Sequence, residues 1–245
     1  METLLKVQNL VKEYKNGFRA VDDVSFEVGA GEIFGLLGPN GAGKTTIIRA
    51  ISTILSFSGG KIEVLVKDNR QYAEEVRSDI GVLTTDIGAY ERFTGKENLE
   101  YFGELYGLSS SELDKRIKEL TELLDMGSFI DKKAAKYSTG MKQRLAIARS
   151  VIHDPKVIIF DEPTSGLDVL SSQTVRDFMS HSRESGHAVV FSTHQMYDAE
   201  KLCNRVIIIH KGKKIAYDSV ENLKVQTGER DLEEAFLKLV RGGEI

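Results

Sequence analysis

A glycine-rich run that ends in a lysine and a hydroxyl residue carries the most informative chemistry in this sequence. Residues 38–45 fit the pattern G-x-x-x-x-G-K-[ST] at every fixed position, and an apolar strand candidate, Ile33 to Leu37, directly precedes them. Glycines in such a loop let successive backbone N–H groups turn inward around phosphate oxygens, and the following helix adds the positive end of its dipole. The run therefore predicts a site for the triphosphate of a nucleotide rather than an ordinary glycine-rich turn.

Two side chains at the end of this loop complete the predicted phosphate site. Lys44 would place its ammonium group against the outer phosphates, and the hydroxyl of Thr45 would ligate a Mg²⁺ ion, which prefers oxygen donors. The residues that we expect to contact the nucleotide in this segment are Gly38, Pro39, Asn40, Gly41, Ala42, Gly43, Lys44, Thr45 and Thr46.

Two acids stand at the end of a second apolar strand candidate, Val157 to Phe160. Ligands of doubly wound sheets bind at the carboxyl ends of the strands, so Asp161 and Glu162 should lie near the phosphates. Asp161 would hold the Mg²⁺ through water, and Glu162 would polarise the water that attacks the γ-phosphate. By itself the pair could be surface acids, but its combination with Lys44 favours catalysis.

A histidine and a serine are further candidates for phosphate contacts. His194 closes the next strand candidate, Ala188 to Phe191, and should lie at the same edge of the sheet, within reach of the γ-phosphate. Ser138 precedes a helical stretch with Gly140 in its first turn, and its hydroxyl and the first amides could form a second anion site. Plain helix capping is the alternative for Ser138, and position alone distinguishes His194 from an ordinary surface histidine.

The elements around these residues predict an α/β fold. Alternating apolar residues near Leu5 and Val24 indicate strands with one buried face, which resemble an antiparallel edge. A helix is expected from Thr46 to Leu55 and should pack against the sheet. Beyond Val157, short β-rich runs alternate with helical runs, as in a parallel sheet with helical crossovers.

The stretch from about residue 86 to residue 155 is predicted to be a helical insertion. Thr94 with Glu97, and Ser109 with Glu112, match the capping box that begins a helix. Apolar residues with a period near 3.6 follow each box, and we expect these stripes to be core; they are Leu99, Phe102, Leu105 and Tyr106 in the first helix and Leu113, Ile117, Leu120, Leu123 and Leu124 in the second.

Composition limits the class of protein. A chain of 245 residues with 41% hydrophobic residues can bury a sizeable core, and a net charge of −4 argues against a nucleic acid partner. Cys203 is the only cysteine, which excludes an intramolecular disulfide. The apolar runs are far shorter than the ~20 residues that span a bilayer, and the N-terminus lacks signal-peptide features. We therefore expect a cytoplasmic location.

The order and intervals of these motifs resemble those of the nucleotide-binding subunit of an ABC transporter, over nearly the whole chain. In the family's terms, the matching segments are the Walker A loop (38–45), the signature (137–143), the Walker B strand with its catalytic glutamate (157–162), the D-loop (Ser165, Gly166, Leu167 and Asp168) and the switch histidine (His194). Tyr14 matches the aromatic residue that stacks on adenine, and an exposed edge tyrosine is the alternative.

This resemblance implies a P-loop NTPase fold with a mostly parallel sheet, an antiparallel N-terminal β part and an inserted helical subdomain. Residues 1–84 and 156–220 would form the ATPase core, residues 85–155 the helical subdomain, and residues 221–245 an amphipathic tail. ATP and Mg²⁺ are the implied ligands. The partners would be a polytopic membrane permease and a second nucleotide-binding subunit, expected to be identical.

The family also implies a head-to-tail dimer. Ser138, Thr139 and Gly140 of one copy would contact the γ-phosphate held by Lys44 of the other, so that ATP joins two copies and hydrolysis separates them. The permease would respond to that two-state switch. The chain would thus sit at the inner face of the membrane through its permease.

The sequence departs from the family pattern at two places. Thr85 occupies the position of a metal-binding glutamine, and its shorter hydroxyl could reach Mg²⁺ only through water. Tyr137 and Thr139 stand where leucine and glycine are commonest. With residues 88–94, these departures resemble sodium-extruding and multidrug-type exporters. One alternative is a soluble ABC ATPase of translation or DNA repair, which single copies of each motif and the lack of a sustained heptad disfavour. The other is a catalytically silent module, which is disfavoured because Lys44, Asp161, Glu162 and His194 are all present.

Overall fold

The computed structural model of this chain describes residues 2–84 and 88–242. Within them the strands are β1 (Thr3–Glu13), β2 (Arg19–Gly29), β3 (Ile33–Leu37), β4 (Gly59–Val64), β5 (Lys67–Asp68), β6 (Ile80–Leu83), β7 (Val157–Asp161), β8 (Ala188–Thr193), β9 (Arg205–His210) and β10 (Lys213–Ser219). The α-helices are α1 (Lys44–Ile51), α2 (Ala73–Asp79), α3 (Gly95–Leu105), α4 (Ser110–Leu123), α5 (Thr139–Ser150), α6 (Val169–Glu184), α7 (Met196–Leu202), α8 (Val220–Thr227) and α9 (Leu232–Gly242).

The larger sheet has the strand order β10-β9-β3-β8-β7-β6. All of its neighbouring strands run parallel except β10, which is antiparallel to β9. Strands β3, β7 and β8 are buried along their whole length, as expected for apolar strands that are covered on both faces. Because they are parallel, the residues that follow β3, β7 and β8 meet at one edge of the sheet.

The smaller sheet is antiparallel, in the order β2-β1-β4-β5. Leu5, Val7 and Leu10 of β1 are buried in a core that also contains Ile47 and Ile48 of α1. This sheet therefore covers the helix that follows the glycine-rich loop. The predicted fold, a mostly parallel sheet with an antiparallel N-terminal part and inserted helices, is confirmed.

Both predicted capping boxes begin helices in the inserted part. The Thr94 hydroxyl accepts a hydrogen bond from the Glu97 amide at 3.1 Å, and the Glu97 carboxylate accepts one from the Thr94 amide at 2.7 Å. Ser109 and Glu112 make the same reciprocal pair. Leu99 of α3, Leu120 of α4 and Leu145 of α5 share a core with Phe160 of β7, so the helical part packs directly on the sheet.

Two expectations about helices were wrong. α1 ends at Ile51 rather than at Leu55, because Thr53 has a left-handed backbone with φ 59° that stops the helix. Ile54 is consequently 60% exposed instead of packed against the sheet. In α3 the apolar stripe is only partly core, since Leu105 is 65% exposed. The stripe is therefore buried at Leu99 and exposed at its C-terminal end, where Tyr106 is also 45% exposed.

The C-terminal helices cover α7. Leu232 and Ala235 of α9 are buried, and they share a cluster with Met196 and Ala199 of α7. Glu200 of α7 accepts a hydrogen bond from the Leu232 amide at 3.2 Å. In the part of the chain that the structure describes, none of the helices combines the length and apolar character that a membrane crossing requires.

Candidate functional site

The glycine-rich loop lies between β3 and α1 and approaches its surroundings closely. A Cβ atom on Gly43 would come within 2.6 Å of the carbonyl oxygen of Ala20, and the residue has φ +111°, which favours glycine. Lys44 is buried and donates from Nζ to the carbonyl oxygens of Gly38 at 2.6 Å and Pro39 at 3.3 Å. The loop thus holds the ammonium group at its centre.

A carboxylate and two hydroxyl groups meet beside the loop. Thr45 Oγ1 donates to Asp161 Oδ2 at 2.8 Å, and Ser192 Oγ donates to Asp161 Oδ1 at 2.5 Å. Asp161 is buried at the end of β7. The hydroxyl of Thr45 and the carboxylate of Asp161 are oxygen ligands of the kind that Mg²⁺ takes, so these two residues fit the predicted metal site.

Glu162 stands between Lys44 and His194. Its Oε1 atom lies 3.3 Å from Lys44 Nζ, and its Oε2 atom accepts a hydrogen bond from His194 Nδ1 at 2.9 Å. Oε1 is buried and, apart from its ion pair with Lys44, accepts no hydrogen bond among residues 2–84 and 88–242, which leaves a lone pair for a water molecule. The structure therefore brings the three predicted catalytic residues together.

The backbone of Glu162 is unusual. Its φ is 52°, in the left-handed region that non-glycine residues seldom adopt. The Glu162 amide donates to the carbonyl oxygen of Ser192 at 3.2 Å and to its hydroxyl at 3.0 Å. These bonds hold the glutamate on a sharp turn at the end of β7, where its carboxylate faces the loop.

Tyr14 lies on the same cleft, together with an aromatic residue that sequence reasoning missed. The cleft is lined by Tyr14, Phe18, residues 39–46 and Glu162. The two rings are nearly parallel, at an interplanar angle of 17° and a centroid distance of 6.4 Å. The Tyr14 amide donates to the Phe18 carbonyl at 2.9 Å, so one turn presents both rings. In the sequence the two rings are four positions apart with Gly17 between them, and this spacing could have indicated a turn that presents both rings.

We expect Tyr14→Ala to weaken ATP binding about tenfold, because stacking of a base on an aromatic ring contributes about 1–3 kcal/mol. Phe18→Ala should have a smaller effect in the same direction, since its ring faces the same cleft. Titration with a fluorescent ATP analogue measures both. Tyr72→Ala, at an exposed tyrosine that does not line the cleft, is the matched control. Unchanged affinity in Tyr14→Ala would leave Tyr14 as an exposed edge residue.

The predicted signature forms the start of α5. Ser138 is the N-cap, and its hydroxyl accepts a hydrogen bond from the Met141 amide at 3.3 Å. Ser138 and Thr139 are exposed, whereas Gly140 is buried. A Cβ atom on Gly140 would collide with the hydroxyl of Ser171 in α6, so the glycine provides room for its own chain. Ser138 bonds within its own helix, and none of its hydrogen bonds in the described ranges reaches the loop at 38–45.

The start of α6 carries the predicted D-loop and packs beside α5. Asp168 caps α6 by accepting from the Ser171 amide at 2.9 Å, a bond that lowers the pKa of the Asp168 carboxyl group. Gln143 of α5 donates to the carbonyl oxygen of Pro163 at 2.8 Å. Val169 and Leu170, which follow the D-loop, are 79% and 80% exposed. Thr85, the third candidate for the metal site, lies outside the described residues.

Comparison with known proteins gives a consistent result. Residues 21–165 match the model of the ABC transporter family. The chain is 42% identical over 244 residues to the ABC transporter ATP-binding protein NatA of Bacillus subtilis, covering 99% of each chain. It is 36% identical over 216 residues to the Nod factor export ATP-binding protein I of Cupriavidus metallidurans, covering 88% of this chain and 71% of that protein.

A solved structure is similar over most of the fold. It is a dimeric, post-hydrolysis state of the ATP-binding cassette MJ0796 bound to ADP and Pi, and it superimposes with a TM-score of 0.79 at 26% sequence identity. The similarity covers 88% of this chain and 98% of that one.

Proposed function

The chain belongs to the ABC transporter family as an ATP-hydrolysing subunit, and we propose that two copies bind ATP head to tail and drive export through a separate membrane permease. The observation that carries this proposal is the division of phosphate-binding groups within one chain. Lys44 and Glu162 form one half of a site, while the exposed Ser138 stands on a helix end without contacting them. A second copy would supply the missing half to each site.

The exposed surface beside the D-loop supports this pairing. Exposed apolar side chains grouped at one place on a surface mark a contact site, and Val169 and Leu170 follow Asp168 directly. The second copy would contact the D-loop, which is Ser165, Gly166, Leu167 and Asp168. The ATP bound to Lys44 of that second copy would be contacted by Ser138, Thr139 and Gly140. The exporter assignment rests on the sequences of residues 88–94 and 137–144, which resemble those of exporters. The proposed cargo is a sodium ion or a drug-like compound.

The catalytic roles follow from the geometry of Glu162. Its free Oε1 lone pair would accept a proton from the attacking water, and the short contact with His194 would keep the carboxylate oriented. Since an ionised carboxylate only accepts hydrogen bonds, we assign a proton to Nδ1 of His194. Lys44 would neutralise phosphate charge. Thr45 and Asp161 would hold Mg²⁺, which supplies positive charge to the phosphates when bound. Thr85 would act through water.

We further propose the domain division that the sequence suggested, with an ATPase core at 1–84 and 156–220, a helical subdomain at 85–155 and a tail at 221–245. The permease would hold the subunit at the inner face of the membrane. A groove between the core and the helical subdomain is the surface we assign to it. Its lining includes Ile54, Val82, Phe102 and Tyr106, and its exposed apolar character suits a segment of another protein.

Ile54→Glu tests this proposal, because it places a charge in the groove at an already exposed position. The subunit would be co-expressed with a candidate permease, and membrane fractions would be assayed for bound subunit. We expect wild type to sediment with the membranes and Ile54→Glu to lose about tenfold in binding, about 1.4 kcal/mol, while its own ATPase rate stays within about twofold.

Val225→Glu is the matched control, since Val225 is 80% exposed on α8 and does not line the groove. It should bind membranes like the wild type. A wild-type subunit that hydrolyses ATP but binds no membrane protein would contradict the permease proposal and favour a soluble ABC ATPase.

A further inference from the structure

A buried carboxylate behind the catalytic residues joins three segments of the chain. Asp198 is 1% exposed in the first turn of α7. Its Oδ2 atom accepts a hydrogen bond from Thr164 Oγ1 at 2.6 Å, and its Oδ1 atom accepts one from Arg176 Nη1 at 2.9 Å. A buried charge is costly unless it is paired and hydrogen-bonded, and here both oxygens are satisfied. The three side chains are therefore joined in one polar cluster.

Two of these segments carry the catalytic pair. Thr164 follows Glu162 by two residues, and Asp198 follows His194 by four residues. The hydrogen bond from Thr164 to Asp198 thus bridges the same two segments as the contact between His194 and Glu162. The contact between His194 and Glu162 involves an exposed histidine, whereas the hydrogen bond between Thr164 and Asp198 is fully buried.

Backbone hydrogen bonds also connect the Thr164–Asp198 pair to the D-loop. The Ser165 amide donates to the Glu162 carbonyl at 3.2 Å, and the Leu167 amide donates to the Thr164 carbonyl at 3.3 Å. Residues 162–168 consequently form a compact turn. A displacement of Ser165 to Asp168 would move Thr164 and, through Asp198, the start of α7.

We propose that Asp198 is a positioning residue that sets the spacing between Glu162 and His194 and transmits movement of the D-loop to His194. The proposal rests on the proposed function, in which the D-loop faces the second copy. Arg176 holds the Asp198 carboxylate in place, since its own guanidinium group is largely buried against that carboxylate. Catalysis in one copy then depends on the position of its partner.

Thr164→Val tests the relay, because it removes the hydroxyl donor at nearly constant volume and leaves the pair of Asp198 with Arg176. We expect kcat for ATP hydrolysis to fall about 30-fold while KM for ATP changes less than about twofold, a pattern typical of lost positioning. Thr164→Ser restores the donor and should recover kcat to within about threefold of wild type.

Thr227→Val is the control for the loss of a buried hydroxyl, because Thr227 is buried in α8 and donates to the Leu223 carbonyl at 2.8 Å. It should leave kcat unchanged. Melting temperatures of all variants are measured alongside. If Thr164→Val does not fold at the assay temperature, Thr164→Ala, which also lacks the donor, replaces it with the same expectation.

A double variant separates positioning from a purely structural role. If Thr164 acts through His194, the loss caused by Thr164→Val should largely disappear in a His194→Ala background. The same fold-loss in both backgrounds, or an unchanged kcat in Thr164→Val, would overturn the relay. Failure of the proposed function looks different, because the wild-type protein itself would then show no ATP hydrolysis and no ATP-dependent dimer.

Discussion

Glu162→Gln is expected to lower the rate of ATP hydrolysis at least 100-fold, since a positioned general base contributes about 10²–10⁴ in rate. The amide keeps the size of the side chain but cannot take a proton from water. ATP binding should stay intact, because Lys44 and the loop amides are untouched. Phosphate release measures turnover, and size exclusion in the presence of ATP should show an accumulated dimer.

Glu184→Gln provides the control for the chemical change, since Glu184 is an exposed residue at the end of α6. It should behave as the wild type in both assays. Unchanged hydrolysis in Glu162→Gln would refute the assigned base. Loss of ATP binding would instead mean that Glu162 chiefly holds Lys44, whose ammonium group lies 3.3 Å from it.

The head-to-tail arrangement predicts that two inactive variants restore each other. Lys44→Ala and Ser138→Glu should each lose hydrolysis at least 100-fold, because each removes phosphate binding from both sites of a symmetric dimer. In a mixed dimer one site carries both substitutions and the other carries neither. An equal mixture, exchanged as monomers before ATP is added, should therefore recover about a quarter of the wild-type rate.

A second mixture controls for this recovery. Lys44→Ala and Glu162→Gln alter the same half of the site, so a mixed dimer of these two variants has one substitution in each site and should stay inactive. Equal recovery in both mixtures would show that activity does not depend on residues from two copies. No recovery in the first mixture would remove Ser138 from the site of the partner.

Features encoded in short segments could be predicted from the sequence. The glycine-rich loop contains its own turn residues and is followed by its own helix, so its location between β3 and α1 needs no distant information. The capping boxes at Thr94 and Ser109 are similarly local, because donor and acceptor are three residues apart. Alternation of β-rich and helical runs was sufficient to indicate the parallel sheet.

Features that depend on distant partners were missed. Asp198 looks like any surface acid in the first turn of a helix, and its partners Thr164 and Arg176 are 34 and 22 residues away. The predicted end of α1 was wrong because the sequence around Thr53 does not indicate that this residue has a left-handed backbone. Periodicity also could not show that the stripe of α3 lies partly at an exposed groove.

The turn at Glu162 has a consequence for how this position tolerates change. A left-handed φ costs a non-glycine residue about 1 kcal/mol, and glycine or asparagine would relieve part of that cost. Such a replacement would give a protein that is more stable but does not hydrolyse ATP. Laboratory evolution under heat selection alone should therefore discard the glutamate, whereas selection that also requires ATP turnover should retain it.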